Sequence, residues 1–331
     1  MKKIGVLTSG GDSQGMNAAI YSIVKCGLQK GLEVYGIYNG YQGLIDGKVE
    51  KLTAQSVENI AHRSGTVLGT ARCPAMLKPE GQKKALNTLQ QYGIEGLVVI
   101  GGDGSFNGAK LLSTKYGVNT VGIPGTIDND LAYTDYTLGF DSATATVINA
   151  VKSLRDTLHC NDRSFVVEVM GRYCGDIALY ASVACGAEVV LIPEVELNLD
   201  QVVATLKHNA KVGKFDNVIL VSEGVRFNGE YISGKVADTV REAIVERMPK
   251  INIRSVVLGH LQRGGETTVQ DVMLGIRMGA HAVDCLASGK TSRVIGIKDD
   301  RIFDQDIVEA LSLTKQLNTD VYELSKTLAK Y

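Results

Sequence analysis

Residues 96–107 read GLVVIGGDGSFN, with four apolar residues set directly against a glycine-rich turn that carries one acid. The run 97–100, rich in β-branched residues, suits a strand buried on both faces. Gly101, Gly102 and Gly104 let backbone N–H groups crowd around an anion, and the residues from Ser105 read as the first turn of a helix. A helix start carries free N–H groups and partial positive charge, so phosphate is its natural ligand. Asp103 beside a phosphate calls for a bridging divalent cation, and Mg2+ takes a carboxylate and phosphate oxygens together. The same stretch also fits a plain Gly-rich turn with an Asx cap.

In an open parallel sheet, ligands sit outside the C-terminal strand ends. What lies past the expected strands is Gly10-Gly11-Asp12, the turn 101–105, the trio Thr126, Asp128 and Asp130, then Met170-Gly171-Arg172, Glu223, and His260 to Arg263. Acids, cations and glycines in that mixture match phosphoryl transfer, which needs anion-binding N–H groups, a metal carboxylate, a base and cations for developing charge. In an extended segment Asp128 and Asp130 would point the same way, one as base and the other orienting it; turn chemistry after Pro124-Gly125 is the alternative. Arg172 follows its strand directly and suits a phosphoryl oxygen, while Arg72, Arg163 and Arg254 also fit ordinary surface cations. His62, His159, His208 and His281 show no metal spacing and read as structural or surface residues.

The elements that must carry these groups alternate. Strands are expected at 3–7, 33–38, 97–100, 118–123, 165–170, 188–192, 218–221, 256–258 and 294–297. Helices are expected at 16–29, 81–92, 141–158 (capped by Asp141-Ser142), 177–184, 202–211, 236–247, 269–286 and 306–329. This is an α/β chain with mainly parallel sheets, and the pattern restarts near residue 138. A net charge of -1 argues against a nucleic-acid scaffold. The six cysteines show no C-x-x-C pair, and Cys26, Cys185 and Cys285 read as core residues of a reducing compartment. No apolar run reaches membrane-spanning length, and the one after Lys3 is too short for a signal peptide, so a cytoplasmic protein without a membrane partner is expected. Gly289-Lys290-Thr291 has the tail of a Walker A motif, but Asp284 occupies its first glycine position. No G-x-G-x-x-G follows the first strand, and zincin and G-x-S-x-G motifs are absent.

Seven segments together resemble the bacterial ATP-dependent 6-phosphofructokinases: GVLTSGGD (5–12), GMNAAI (15–20), GGDGS (101–105), PGTIDND (124–130), TDYTLGF (134–140), VVEVMGRYCGD (166–176) and GHLQRGG (259–265). The resemblance runs along nearly the whole chain. It implies two Rossmann-like three-layer α/β/α lobes with the active site in the cleft between them. The nucleotide-binding lobe would be 1–138 plus 251–301, and the sugar-phosphate lobe 139–250 plus 302–331. The implied reaction turns ATP and fructose 6-phosphate into ADP and fructose 1,6-bisphosphate, the committed step of glycolysis. Asp128 would be the base, Asp103 would hold Mg2+, and Thr126, Arg172 and Arg72 would stabilise the moving phosphoryl group. Gly11, Arg72, Cys73, Gly102, Asp103, Gly104 and Ser105 would bind ATP. The sugar phosphate would meet Thr126, Ile127, Asp128, Met170, Gly171, Arg172, Glu223, His260, Leu261, Gln262 and Arg263, with Arg163 and Arg254 reaching in from a neighbouring subunit of a homotetramer. Relatives that use pyrophosphate carry Asp at the place of Gly104 and Lys at the place of Gly125, so glycine at both implies ATP. Lys25, Arg155, Glu188 and Lys214 match the family's effector site, but Tyr21, Ala54, Val212 and Asp216 replace cations of the enteric relatives, so weak or absent regulation by ADP and phosphoenolpyruvate is expected. A pyrophosphate-dependent enzyme, a kinase of a related sugar phosphate and a catalytically silent sugar-phosphate sensor are the alternatives.

Overall fold

The structure, a computed structural model, describes residues 1–158, 162–232 and 234–329. His159 and Cys160 therefore lie outside the described residues. In chain order the elements are β1 (Lys3–Thr8), α1 (Met16–Gln29), β2 (Glu33–Ile37), α2 (Gly40–Asp46), β3 (Val49–Leu52), α3 (Pro79–Tyr92), β4 (Gly96–Gly101), α4 (Asp103–Tyr116), β5 (Asn119–Pro124) and α5 (Phe140–Leu158). They continue with β6 (Ser164–Val169), α6 (Asp176–Cys185), β7 (Val189–Leu191), α7 (Leu199–Lys211), β8 (Val218–Ser222), β9 (Arg226–Phe227), β10 (Glu230–Tyr231), α8 (Val236–Arg247) and β11 (Ile253–Val257). Last come α9 (Val269–Ala287), β12 (Arg293–Lys298), β13 (Arg301–Asp306), α10 (Ile307–Ser312) and α11 (Thr319–Leu328).

The chain divides into two units. The first holds residues 1–127, 131–142 and 263–315. Its seven-stranded sheet runs β13-β12-β5-β4-β1-β2-β3. The inner strands pair in parallel, and β3 and β13 add antiparallel edges. All six residues of β4 are buried, as two covered faces demand. Phe106 of α4 is fully buried; a Cβ at Gly122 of β5 would lie 2.6 Å from its ring, so the bare strand lets the helix seat there. That contact anchors the helix whose first turn carries Asp103, and truncating such a ring costs about 3–5 kcal/mol.

The second unit holds 128–130, 143–262 and 316–331. Its sheet is β11-β6-β8-β7, parallel throughout, with β9 and β10 as a separate two-stranded ribbon. Leu206, Ile219, Val221, Val240 and Ile244 centre a core against α7 and α8.

Several expectations change here. The crossing points differ from 251 and 301: β11 pairs with β6, which keeps 251–262 with the second unit, and β13 pairs with β12, which keeps 302–315 with the first. The C-terminal stretch is not one helix. Leu313 is extended, and a new helix starts where Asn318 accepts from the Val321 N–H. Helix α2 and strands β3 and β13 lie outside the elements expected from the sequence. Helix α5 starts at Phe140, and Asp271 supplies its capping bonds, accepting from the N–H groups of Gly139 (2.9 Å) and Ser142 (2.8 Å) and from the Ser142 hydroxyl (2.6 Å). Burial pushes the Asp271 carboxyl up to about 6, although these donors pull the other way.

Candidate active site

In the first unit the parallel register sets Gly101 beside Pro124 and Thr8 beside Ile100, so β1, β4 and β5 end together. The Ser9 N–H donates to Ile100 O (2.9 Å) and the Gly125 N–H to Gly101 O (2.9 Å). A Cβ at Gly101 would meet Ser9 O at 2.4 Å and Ser105 Oγ at 2.5 Å, so only glycine lets the two turns close up. Helix α4 then starts with no side-chain cap. The Ser105 and Phe106 N–H groups turn back to Gly102 O, which leaves the first N–H groups of the helix for a ligand. Tyr41 donates to Ser105 O at 2.7 Å and steadies this turn. Gly102 approaches Thr126 (3.6 Å from a Cβ position to Thr126 Cβ), and the Thr137 hydroxyl holds Thr126 O at 2.6 Å.

Asp103 is exposed in the first turn, where the helix dipole favours an anion, and its Oδ2 accepts from Asn107 Nδ2 (3.2 Å). An oriented, solvent-facing carboxylate beside anion-binding N–H groups fits a Mg2+ ion carried by phosphates. Gly11 and Arg72 are exposed and Cys73 is half-buried. Burial raises the Cys73 thiol pKa, so Cys73 is a neutral wall rather than a nucleophile. Arg263, grouped by sequence with His260, belongs to this unit: its Nη1 donates to Asp12 O at 2.8 Å and lies 2.6 Å from a Cβ position at Gly11. Ile127 is fully buried, so its side chain serves the core rather than a ligand.

The second unit gathers the other set. Asp128 is buried within a turn. The segment is not extended: Asn129 has φ 52°, which Asn tolerates better than most residues. Asn129 Nδ2 donates to Asp176 Oδ2 at 2.9 Å, which ties the acids to the start of α6. Sequence reasoning missed Asn129 and Asp176; the signal was a left-handed-tolerant Asn between two acids. Arg172 is exposed, and its N–H donates to Glu223 Oε1 at 2.9 Å. Gln262 is fully buried; its Oε1 accepts from the Met170 N–H (3.2 Å) and its Nε2 donates to Gly259 O (3.0 Å), so it shapes the backbone at Met170 and Gly171. His260, Leu261 and Arg254 are exposed, and Arg163 is half-buried.

Three of the four effector-type residues meet in this unit. Glu188 is buried and takes Lys214 (2.5 Å), Arg155 (3.5 Å) and the Val218 N–H (2.6 Å). Lys25 belongs to the first unit and sits over the Tyr21 ring at 5.9 Å. Among the described residues, one further group has metal-ligating types, His281, Cys285 and Asp304. Its Asp304 is already bound by Lys290 and Arg293, each at 2.8 Å. Burial alone would raise that carboxyl, but its bonds to Lys290, Arg293 and His281 hold it far below the carboxylate range. Burial beside Asp304 pushes the Cys285 thiol up to about 12. A protonated thiol and two cations make an ion-pair network rather than a metal centre. No helix among the described residues is long and apolar enough to cross a membrane.

Residues 3–286 match the phosphofructokinase family. The chain is 50% identical over 329 residues to the ATP-dependent 6-phosphofructokinase of Thermoanaerobacter sp. (strain X514), covering 99% of this chain and 100% of that one. It is 51% identical, at the same coverage, to the ATP-dependent 6-phosphofructokinase of Clostridium tetani (strain Massachusetts / E88). The solved phosphofructokinase of Saccharomyces cerevisiae superposes with a TM-score of 0.89 at 34% identity, over 99% of this chain and 48% of that chain, so this chain spans about half the yeast chain's length. A match over most of the sequence, half-identity along whole relatives and a shared fold lead to one conclusion: the chain belongs to the phosphofructokinase family.

Proposed function

We propose that this protein transfers the terminal phosphoryl group of ATP to the 1-hydroxyl of fructose 6-phosphate, giving fructose 1,6-bisphosphate and ADP. The observation that carries this reading is half-identity along the full length of relatives that bear the name ATP-dependent 6-phosphofructokinase. The uncapped start of α4 supports it as a phosphate cradle. In this reading Gly11, Gly102, Gly104 and Ser105 meet the ATP phosphates, with Arg72 and Cys73 beside the nucleotide. Asp103 would hold Mg2+, which when bound offsets phosphate charge. Asp128 takes the proton of the sugar hydroxyl as that oxygen bonds to phosphorus and the bond from phosphorus to the ADP oxygen breaks. Thr126, Arg72 and Arg172 stabilise charge on the moving group.

The sugar phosphate is met by the segment 170–172, Glu223, His260 and the backbone around Gln262. Arg163 and Arg254 would serve a neighbouring subunit of a homotetramer. The position of Arg263 at Asp12 favours a role nearer the nucleotide than the sugar. The protein would work in the cytoplasm. Effector control by ADP or phosphoenolpyruvate would be weak, because Lys214 and Arg155 are spent on Glu188 and Val212 stands exposed where relatives carry a cation. Assaying fructose 6-phosphate with ATP, GTP and pyrophosphate tests the reading, and turnover with pyrophosphate alone would replace it.

A further inference from the structure

We infer that Glu223 and Gly224 form a backbone clamp that positions Arg172, the cation on which the proposed phosphoryl transfer relies; the inference rests on that functional reading. Arg172 has φ 53°, in the left-handed region that L-residues with a Cβ disfavour. Such a conformation persists only where its surroundings over-determine it. Two neighbours do so. On one side the Arg172 N–H donates to Glu223 Oε1 at 2.9 Å. On the other, Gly224 lies flat against the Arg172 carbonyl: a Cβ at 224 would be 1.8 Å from Arg172 O and 2.9 Å from its carbonyl carbon. No side chain can occupy that space, so any other residue at 224 pushes the Arg172 peptide out of place.

The clamp is fixed to the sheet. The Glu223 N–H donates to Val169 O at 2.9 Å, and Val169 pairs with Ser222 where β6 and β8 end. The side chain has a support of its own. The Arg172 guanidinium lies 5.7 Å over the Tyr173 ring, and Tyr173 leans on Tyr231 of the β9–β10 ribbon with ring centroids 5.1 Å apart. Glu223 is thus a positioning residue for Arg172, whatever contact it makes with sugar. Gly224, which no motif singled out, is its steric counterpart.

A double-mutant cycle with Arg172→Ala tests the clamp. Gly224→Ala is expected to lower kcat/KM for fructose 6-phosphate by ~100-fold, the scale of a 1 Å misplacement, with kcat carrying the loss. In the Arg172→Ala background the same change is expected to cost less than about threefold, because the group it positions is gone. Since Gly224→Ala can fail to fold, Glu223→Ala and Glu223→Gln run the same cycle. Gln keeps a carbonyl oxygen for the Arg172 N–H and should retain more kcat than Ala. Equal losses with and without Arg172, or a loss seen only as a higher KM for the sugar, would overturn the clamp. Amide hydrogen exchange reads it without substrate: the Arg172 amide should be slow in the wild type and fast in Glu223→Ala, and equal rates would also overturn it. If the amide behaves so but ATP and fructose 6-phosphate do not turn over, the functional reading fails and the clamp stands.

Discussion

Replacing Gly104 by Asp separates what the α4 turn does for the fold from what it does for the nucleotide. A Cβ at Gly104 meets no heavy atom within 4 Å, and its φ is not in the left-handed region. The change also removes a helix glycine, worth roughly 0.5–1 kcal/mol, and places an acid in the first turn, worth about 0.3–1 kcal/mol. Thermal stability should therefore hold or rise. Binding should not. A carboxylate about 5 Å from one phosphate charge, at an effective dielectric near 20, costs about 3 kcal/mol, or roughly two orders of magnitude in kcat/KM for ATP. Gly104→Ala is the control for bulk and, adding no charge, should lose less than about tenfold in kcat/KM for ATP. Position 125 is a poorer choice, because a Cβ there would lie 2.9 Å from Met16 and 3.0 Å from Ile100, so packing and chemistry would fail together. Melting curves and coupled kinetics on the same preparations suffice. A stable Gly104→Asp protein with wild-type kcat/KM for ATP would refute the placing of phosphates at this turn.

Other outcomes follow from the same geometry. Asp128→Ala should lower kcat by several orders of magnitude while ATP binding stays nearly intact, and a loss under about tenfold would mean that Asp128 is not the base. Asp271 titrates near pH 6 in the fold against 3.8 for an ordinary Asp, so it adds stability that is complete below pH 3.8 and is lost as pH rises through about 6. The contribution is roughly 3 kcal/mol at most, so denaturant melts should show the gap between wild type and Asp271→Asn widening from pH 8 to pH 4.5; a gap that stays flat would deny the shift. Millimolar ADP or phosphoenolpyruvate should barely move the half-saturation for fructose 6-phosphate, and a large shift in steady-state assays would show that the remaining cations suffice.

Local patterns were readable where the structure needs local rules. The apolar run 97–100 followed by glycines announced β4 and the turn into α4, because a doubly covered strand must be apolar and a close turn must lack side chains. Strand β13, RIFDQD, stayed hidden because it is a half-covered edge whose charges pair with neighbours, as Asp304 does with Lys290 and Arg293. The start of α5 is capped by Asp271, 129 residues away from Ser142, so no window around the helix could reveal it. The bend at Asn129 and the contact of Arg263 with Asp12 are likewise tertiary, and periodicity is blind to both. Chemistry-bearing residue types were therefore legible, while the groups that orient them were not.

The most direct measurement of the central claim is product formation from fructose 6-phosphate with each phosphoryl donor in turn, ATP and pyrophosphate at equal concentration with magnesium present. With ATP, fructose 1,6-bisphosphate and ADP should form in equal amounts, and pyrophosphate should give no product above background. Product from pyrophosphate alone, or no phosphorylated sugar with either donor, would contradict it.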